Sequence, residues 1–385
     1  MTSRKKIIFL SGKKGGFTAM LPLLQLFKKS KNFTLKTVLT DQHTQKKFGN
    51  TYKICQKELG TNFTKVIKFA GNTGTSINRL HEMSKLLLKF SKYLVAENPD
   101  MVFLYGDRLE SLIAGISASN LNIPISHFQG GDVSGNIDEK IRHSITKLSD
   151  LHFVSNSLSL QRVMKMGEDK RACFNIGDNH IDALKKINFS KSTFYKLNKK
   201  YKINDKNYIV FMLHPENSSD YKNSKNAEMV LRILKSLNFN VICVYPCTDP
   251  GYQGIINKLN KYKKENNKFS VFKILPHSEF ISLLKHSLFF IGNSSSGIIE
   301  SSYLRIPSID IGSRQNKRLK SQNVIKADFN KKSINTAINL ALSSKYKNKN
   351  IYRKKFYGNG LSYKKAFKII SSRIGKISTS KIFND

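Results

Sequence analysis

Carboxylates, histidines and arginines crowd into residues 105–143, which read YGDRLESLIAGISASNLNIPISHFQGGDVSGNIDEKIRH. An apolar strand ends there in Gly106-Asp107-Arg108, a helix follows, and a second strand ends in Ser126-His127-Phe128-Gln129. Open α/β sheets gather their ligands at the carboxyl ends of strands. Two successive strands with titratable ends therefore read as the wall of an active site. Asp107 is a candidate base or acid, with Arg108 as its natural charge partner. His127, Asp132, Asp138 and Glu139 add titratable groups. Arg142 and His143 follow Asp138 by about one helical turn, so the three are expected on one face. A capped, salt-bridged helix start accounts for Glu139 but not for the whole set.

Other candidates lie along the rest of the chain. Ser11-Gly12-Lys13-Lys14-Gly15-Gly16 is a glycine-rich loop before a helix. Lys14 there suits a phosphate or sugar at a helix N-terminus, although tight strand-to-helix turns need glycine in any case. Gly292-Asn293-Ser294-Ser295-Ser296-Gly297 follows an apolar strand and opens a helix. Its hydroxyls, backbone amides and helix dipole fit a diphosphate, with Glu300 one turn on as an acceptor for a ribose diol. One serine would do for an N-cap. His214 ends the strand Phe211-Met212-Leu213-His214 before a proline. It is placed to donate to a phosphate or to act as a general acid, while a packed histidine is the competing reading. Arg314 and Arg318 follow the next strand, and the planar fork of arginine suits phosphate.

The elements that must position these residues alternate between strand and helix, which predicts parallel sheets with crossover helices. Strands are expected at 6–11, 36–39, 65–69, 101–105, 125–128, 151–154 and 173–176, and then at 208–213, 241–245, 270–275, 289–291 and 308–311. The polar, lysine-rich stretch 185–207 reads in part as a domain connection, and a last helix is expected near 363–374. The domains expected are 1–178 and 200–350, each Rossmann-like, with 351–385 crossing back to the first.

A chain of 385 residues fits two domains, and a hydrophobic fraction of 39% excludes global disorder. No apolar run approaches the roughly 18–20 residues that cross a bilayer. The charged N-terminus, with an apolar run of four residues, reads as a first strand rather than a signal peptide. Cys55, Cys173, Cys243 and Cys247 match no metal-ligand spacing and read as reduced thiols in a cytoplasmic protein. The formal charge of +40 raises nucleic acid as a partner. The lysines, however, spread along the whole chain with no arginine-rich stripe, so a lysine-rich surface is the preferred reading, with no nucleic acid partner.

Gln42-His43 with Phe48-Gly49-Asn50-Thr51, then Gly106-Asp107-Arg108, the run from Gly130 through Asp138 and Arg142-His143 to Lys147, His214-Pro215, the run from Gly292 to Glu300, and Ile311-Gly312-Ser313-Arg314-Gln315 occur in this order. Together they resemble the UDP-N-acetylglucosamine 2-epimerase family, and within it the hydrolysing branch of sialic-acid and legionaminic-acid synthesis. The Asp-x-x-x-Arg-His run carries that branch. The resemblance implies an α/β fold of GT-B type, two Rossmann-like domains with parallel sheets around a central cleft. It implies catalytic roles for Asp107 and Asp138. It places Arg108, His214, Ser294, Ser295, Glu300 and Arg314 on UDP, with the two serines on the diphosphate and Glu300 on the ribose. The chain departs from relatives at Lys14 and Gly16, where many carry arginine and an acidic residue. It departs again at Gln129, where parts of the family carry a catalytic glutamate. Glutamine cannot exchange a proton, so Asp132, His127 or Asp138 would share that work.

The catalytic set expected is thus Asp107, Asp138, Asp132, His214 and Gln129. Lys14, Arg108, His127, Arg142, His143, His214, Ser294, Ser295, Ser296, Glu300 and Arg314 are expected to bind substrate. The reaction implied is hydrolysis of UDP-N-acetylglucosamine to N-acetylmannosamine and UDP, without metal or other cofactor, in a homodimer or homotetramer. A UDP- or GDP-linked 2,4-diacetamido-2,4,6-trideoxy hexose is the nearest alternative substrate. A GT-B glycosyltransferase is an alternative from another class.

Overall fold

The computed structural model describes residues 4–46, 49–68, 76–133, 137–201, 203, 207–247, 249–347 and 355–384. Phe48, Phe69 and Ser134-Gly135-Asn136, which fall within motifs or strands expected above, lie outside them, as do Lys202 and residues 204–206 of the expected connection and residues 351–354. The chain divides into two compact units, Met1–Ala183 with Tyr357–Asp385, and Leu184–Phe356.

The first unit holds β1 (Lys5–Ser11), β2 (Phe33–Leu39), β3 (Thr64–Val66), β4 (Met101–Tyr105), β5 (Ile125–Phe128), β6 (Leu151–Val154) and β7 (Cys173–Asn175). They form one sheet in the order β3-β2-β1-β4-β5-β6-β7, and every pair is parallel. Helices cover both faces, so central strands such as Met-Val-Phe-Leu-Tyr of β4 are apolar throughout and buried throughout. Phe103, Phe128, Phe153 and Phe174 form an aromatic ladder across β4 to β7, with ring centroids 5.6, 4.8 and 5.7 Å apart. Each such pair adds roughly 0.5–1.5 kcal/mol beyond its burial, which stiffens the strands whose ends carry the candidate residues. The C-terminal helix Ser362–Arg373 packs on the helix Lys14–Lys29, with Phe367 4.8 Å from Phe27 and Ala366 and Ile370 in the same core.

The second unit holds β8 (Tyr208–Met212), β9 (Asn240–Val244), β10 (Phe269–Phe272), β11 (Phe290–Gly292), β12 (Ser308–Ile311) and β13 (Val324–Ala327), again all parallel. Their order, β10-β9-β8-β11-β12-β13, is that of a Rossmann sheet. In both sheets the order reverses beside the first strand, between β1 and β4 and between β8 and β11, and ligands of open α/β sheets sit outside such points.

Two of the elements not expected bear on how lysines hide structure. β13 is an edge strand with a lysine inside it, and only Ile325 and Ala327 are buried. The connection 185–207 contains the helix Lys191–Tyr201. Phe194 and Leu197, one turn apart, are buried in it, and the Phe194 ring stacks on His286 at 4.2 Å. Two apolar contacts one turn apart anchor a helix that its lysines conceal in the sequence. Among the described residues no helix is long and apolar enough to cross a membrane.

Candidate active site

In the first unit, Gly106-Asp107-Arg108 leaves the end of β4 on a left-handed glycine, φ +74° at Gly106. The Asp107 carboxylate accepts a hydrogen bond from Nη2 of Arg142, on the helix Ile137–Leu148, and Nη1 of the same arginine donates to the Asp132 carbonyl at 2.6 Å. Arg142 is buried. It is therefore placed to hold Asp107. For Arg108 the expected charge partner is corrected, because it is not Asp107. Its side chain turns back to Asp41 Oδ2 at 2.8 Å and Glu110 Oε1 at 3.2 Å, both buried carboxylates. Burial raises the Glu110 carboxyl above its ordinary range, and the Arg108 charge opposes that shift. Gly12 provides the room, since a Cβ there would lie 1.6 Å from Glu110 Oε1.

His127 is fully buried in β5, with Nε2 2.8 Å from the Gly106 carbonyl and Nδ1 3.1 Å from Thr146 Oγ1. Burial lowers it to about 3, so it is neutral and donates Nε2–H to Gly106. It holds the β4 turn from inside the sheet. Asp132 is buried as well. Its Oδ1 accepts from Ser155 Oγ at 3.0 Å and Ser159 Oγ at 2.5 Å, which ties the glycine turn to the start of the helix Ser157–Lys165. Both hydroxyls fall on one carboxylate oxygen of Asp132. Asp138 and Glu139 open the Ile137–Leu148 helix, with His143 Nε2 3.7 Å from Glu139 Oε1. Residues four apart share a face, so Asp138 is aligned with Arg142 and Glu139 with His143, in two rows rather than one. Burial lowers His143 from its ordinary value, against the pull of Glu139.

Gln129 follows β5 with φ +65°, a left-handed conformation that glutamine adopts at a cost of about 1 kcal/mol. Its Nε2 donates to Asp178 Oδ2 at 3.0 Å and lies 3.3 Å from His180 Nδ1. Lys14 is the first residue of its helix and half-buried, and its charge acts on His43 and on the Glu58 carboxyl.

In the second unit, His214 follows β8. The Asn293 side chain clamps its backbone, accepting from His214 N–H at 2.6 Å and donating to its carbonyl at 3.0 Å. The Cys247 amide donates to His214 Nδ1 at 2.9 Å. A ring nitrogen that accepts carries no proton, so the neutral ring bears its proton on Nε2 and presents a donor there. Ser294, Ser295 and Ser296 follow β11. Ser294 Oγ caps a short 3₁₀ turn at Ser295–Gly297, accepting from Ser296 N–H at 3.3 Å, and the helix Ile299–Leu304 with buried Glu300 follows. Arg314 follows β12, with Nη1 3.4 Å from the Asn293 carbonyl and Nη2 3.6 Å from Asp249. The Glu216 carboxylate accepts from the backbone amides of Ser313 and Arg314 at 2.7 and 3.0 Å, fixing that loop. His214, the serines and Arg314 therefore meet at the carboxyl ends of β8, β11 and β12.

The family model described as UDP-N-acetylglucosamine 2-epimerase matches residues 25–371. The chain belongs to the UDP-N-acetylglucosamine 2-epimerase family. It is 31% identical over 351 residues to a UDP-N-acetylglucosamine 2-epimerase of Neisseria meningitidis, covering 88% of each chain. It is 31% identical over 375 residues, 96% of each chain, to a UDP-N,N'-diacetylbacillosamine 2-epimerase (hydrolyzing) of Legionella pneumophila. The crystal structure of the Neisseria meningitidis UDP-GlcNAc 2-epimerase bound to UDP-GlcNAc shares the fold, with a TM-score of 0.79 and 16% identity over 95% of this chain and 100% of that one. The two-unit parallel α/β architecture of the GT-B class, expected from the sequence, is thus observed.

Within this epimerase-family chain, sequence reasoning missed the supporting groups. Asp41, Glu110, Asp178, His180, Asn293, Glu216 and Cys247 each hold a candidate residue or its loop. Most act at long sequence separation, and only strand order brings them together. Asn293 lies inside the Gly292–Gly297 motif, and Glu110 and Glu216 each sit two residues from a motif residue, Arg108 and His214; that placement was the available signal.

Proposed function

We propose that the protein is a hydrolysing UDP-N-acetylglucosamine 2-epimerase, converting UDP-N-acetylglucosamine and water to N-acetylmannosamine and UDP. The observation that carries this reading is the Asp107–Arg142 pair, because it joins the Gly106-Asp107-Arg108 turn to the Asp138-x-x-x-Arg142-His143 helix. The C2 proton is not adjacent to a carbonyl and is poorly acidic. UDP departure therefore runs ahead of proton loss, and C1 gains oxocarbenium character. Asp107 or Asp138 is the base that takes the C2 proton and leaves a glycal. The leaving diphosphate needs charge stabilisation. Nε2–H of His214, Arg314, Ser294, Ser295 and Ser296 are its donors, with Glu300 on the ribose. Water then adds at C1, and C2 is protonated on the opposite face.

The test is incubation with UDP-N-acetylglucosamine in deuterated water. The expected result is UDP release and N-acetylmannosamine deuterated at C2. Release of neither would remove this substrate. The second reading, the same reaction on a UDP-linked 2,4-diacetamido-2,4,6-trideoxy hexose, is favoured by the Legionella relative, which aligns over 96% of this chain. Parallel assays with both nucleotide sugars separate the two.

A further inference from the structure

The helix Ile137–Leu148 carries Asp138 and Arg142, and its C-terminal end needs donors. The last carbonyls of an α-helix have no partner within it, and many helices close them with a left-handed glycine. No glycine follows here, because Leu148 runs through Ser149 and Asp150 directly into β6. Ser149 meets part of the need. Its hydroxyl donates to the Ile145 carbonyl at 2.7 Å and its amide to the Thr146 carbonyl at 3.1 Å.

The rest comes from the far end of the sequence. Beyond the helix Ser362–Arg373 the chain has no regular structure, and it runs back to this helix end. Lys381 Nζ donates to the carbonyls of Thr146 at 3.1 Å, Lys147 at 2.7 Å and Ser149 at 2.7 Å, and lies 2.6 Å from Glu168 Oε2. An ammonium donates and never accepts, so a cluster of carbonyls beside a carboxylate is the partner set it requires. Its charge also meets the negative end of the helix dipole. Neighbouring residues seat the tail. A Cβ built on Gly167 would stand 2.4 Å from the Phe383 ring, and the Asn384 amide donates to the Gly167 carbonyl at 3.1 Å. Lys147 Nζ lies 5.0 Å from the centroid of the Phe383 ring.

Lys381 is joined to the Asp107 turn in two ways. Along the helix, Arg142 stands one turn before Thr146 and donates to the Asp107 carboxylate. Across the sheet, the Thr146 hydroxyl lies 3.1 Å from His127 Nδ1, and His127 Nε2–H reaches the Gly106 carbonyl at 2.8 Å. Thr146 therefore meets Lys381 through its carbonyl and His127 through its hydroxyl. A shift of the helix end moves both supports of Asp107 together.

We propose that Lys381 is a positioning residue for the reaction: by closing the C-terminal end of the helix Ile137–Leu148, it holds Asp138 and Arg142 in place relative to Asp107. This rests on the hydrolysing reading above. Lys381 acts through the helix, so it affects the rate at which bound substrate reacts more than the binding itself. The tail residues around it, Phe383 and Asn384, serve the same end by seating the lysine.

The experiment is steady-state UDP release by the full chain, well below its melting temperature, with whichever of the two nucleotide sugars the wild-type enzyme accepts. Lys381→Met keeps the alkyl stem and removes the donors. Its kcat is expected to fall about tenfold, since misplacing a reacting group by about 1 Å can cost more than that. KM should stay within about twofold, the pattern of an interaction that acts on the transition state. Lys381→Arg returns a cationic donor to the same carbonyls and should restore kcat to within about threefold of wild type. Amide exchange in the helix Ile137–Leu148 should quicken at least about tenfold in Lys381→Met. Phe383→Ala loosens the seat of the tail and leaves Lys381 in the sequence, and its kcat should fall about threefold. It carries the test if Lys381→Met does not fold. Wild-type kcat in the variant that carries the test overturns the positioning role and leaves Lys381 a stabilising contact. Unchanged exchange in that helix overturns the cap itself, whether or not the protein acts on either sugar. A wild-type enzyme that releases no UDP from either sugar overturns the hydrolysing reading, before any variant is compared.

Discussion

The guanidinium of Arg142 donates to the carboxylate of Asp107 across 35 residues of sequence, from the helix Ile137–Leu148 to the turn after β4. The same arginine holds the Asp132 carbonyl. One buried cation thereby fixes both the candidate base and the glycine turn that leads into its own helix. The more obvious cation, Arg108, is already engaged by Asp41 and Glu110. Chain neighbours need not be charge partners when a strand end turns sharply.

Asp107→Asn removes the proton acceptor and keeps the side-chain shape. UDP release is expected to fall by roughly 10³-fold, with UDP affinity unchanged by calorimetry. Arg142→Ala leaves a carboxylate without its cation in a partly buried place. Breaking such a pair typically costs about 3–5 kcal/mol, so urea denaturation should show that loss together with inactivity. Loss of activity at wild-type stability would mean that Arg142 meets the substrate instead.

His214 is set as an Nε2–H donor by the Cys247 amide and by the Asn293 clamp. His214→Phe removes the donor and is expected to weaken UDP binding by about 1.5–3 kcal/mol, the range for a hydrogen bond to a charged group. Asn293→Ala removes the clamp without touching the ring, and should weaken binding less while lowering the melting temperature. Calorimetry with UDP and a thermal scan separate the two effects. Equal UDP affinity in His214→Phe and the parent would take His214 off the diphosphate.

The strand–helix alternation and the apolar runs made both sheets legible in the sequence, because buried parallel strands read as near-continuous apolar segments. Strand-end motifs such as Gly106-Asp107-Arg108 were legible for the same reason. What stayed hidden was the direction of each side chain. His127 and Asp132 sit in motifs rich in chemistry, yet one lies inside the sheet and the other under two serines. His180 carries no motif, and it reaches Gln129 only because β7 lies two strands from β5 in the sheet. β13 was masked by the lysine inside it, and the Lys191–Tyr201 helix by its four lysines.

Glu168 makes an acid-sensitive anchor. It is buried and bonded by His152 Nε2 at 2.9 Å, Lys147 Nζ at 2.9 Å and Lys381 Nζ at 2.6 Å. Burial alone would raise its carboxyl, but bonds from His152, Lys381 and Lys147 outweigh burial and bring it to about 2. Burial lowers His152, which therefore donates as a neutral ring, and the lysines supply the charge. A carboxyl depressed by folding stabilises above its unfolded value, near 4.3, and loses that contribution as pH falls toward 2. Glu168→Gln should cost on the order of 3 kcal/mol at neutral pH, and the gap to wild type should close between about pH 4 and 2. Urea midpoints across that window check it, and a gap independent of pH would contradict the assignment.

Asp182 ties the C-terminal helix to the first unit. Its carboxylate accepts from the backbone amides of Ser362 and Tyr363 at 2.9 and 2.8 Å, and from the Ser362 hydroxyl. These are orphan amides at the start of the helix Ser362–Arg373, capped by a residue 180 positions earlier. Burial raises the carboxyl to about 6 against the pull of those bonds. Asp182→Ala should cost about 1–3 kcal/mol, with faster amide exchange in the C-terminal helix. The same helix start follows Tyr357, whose carbonyl holds the Asp178 amide. Asp182→Ala should therefore also speed exchange of the Asp178 amide, and a stability loss with that amide still protected would confine Asp182 to the cap.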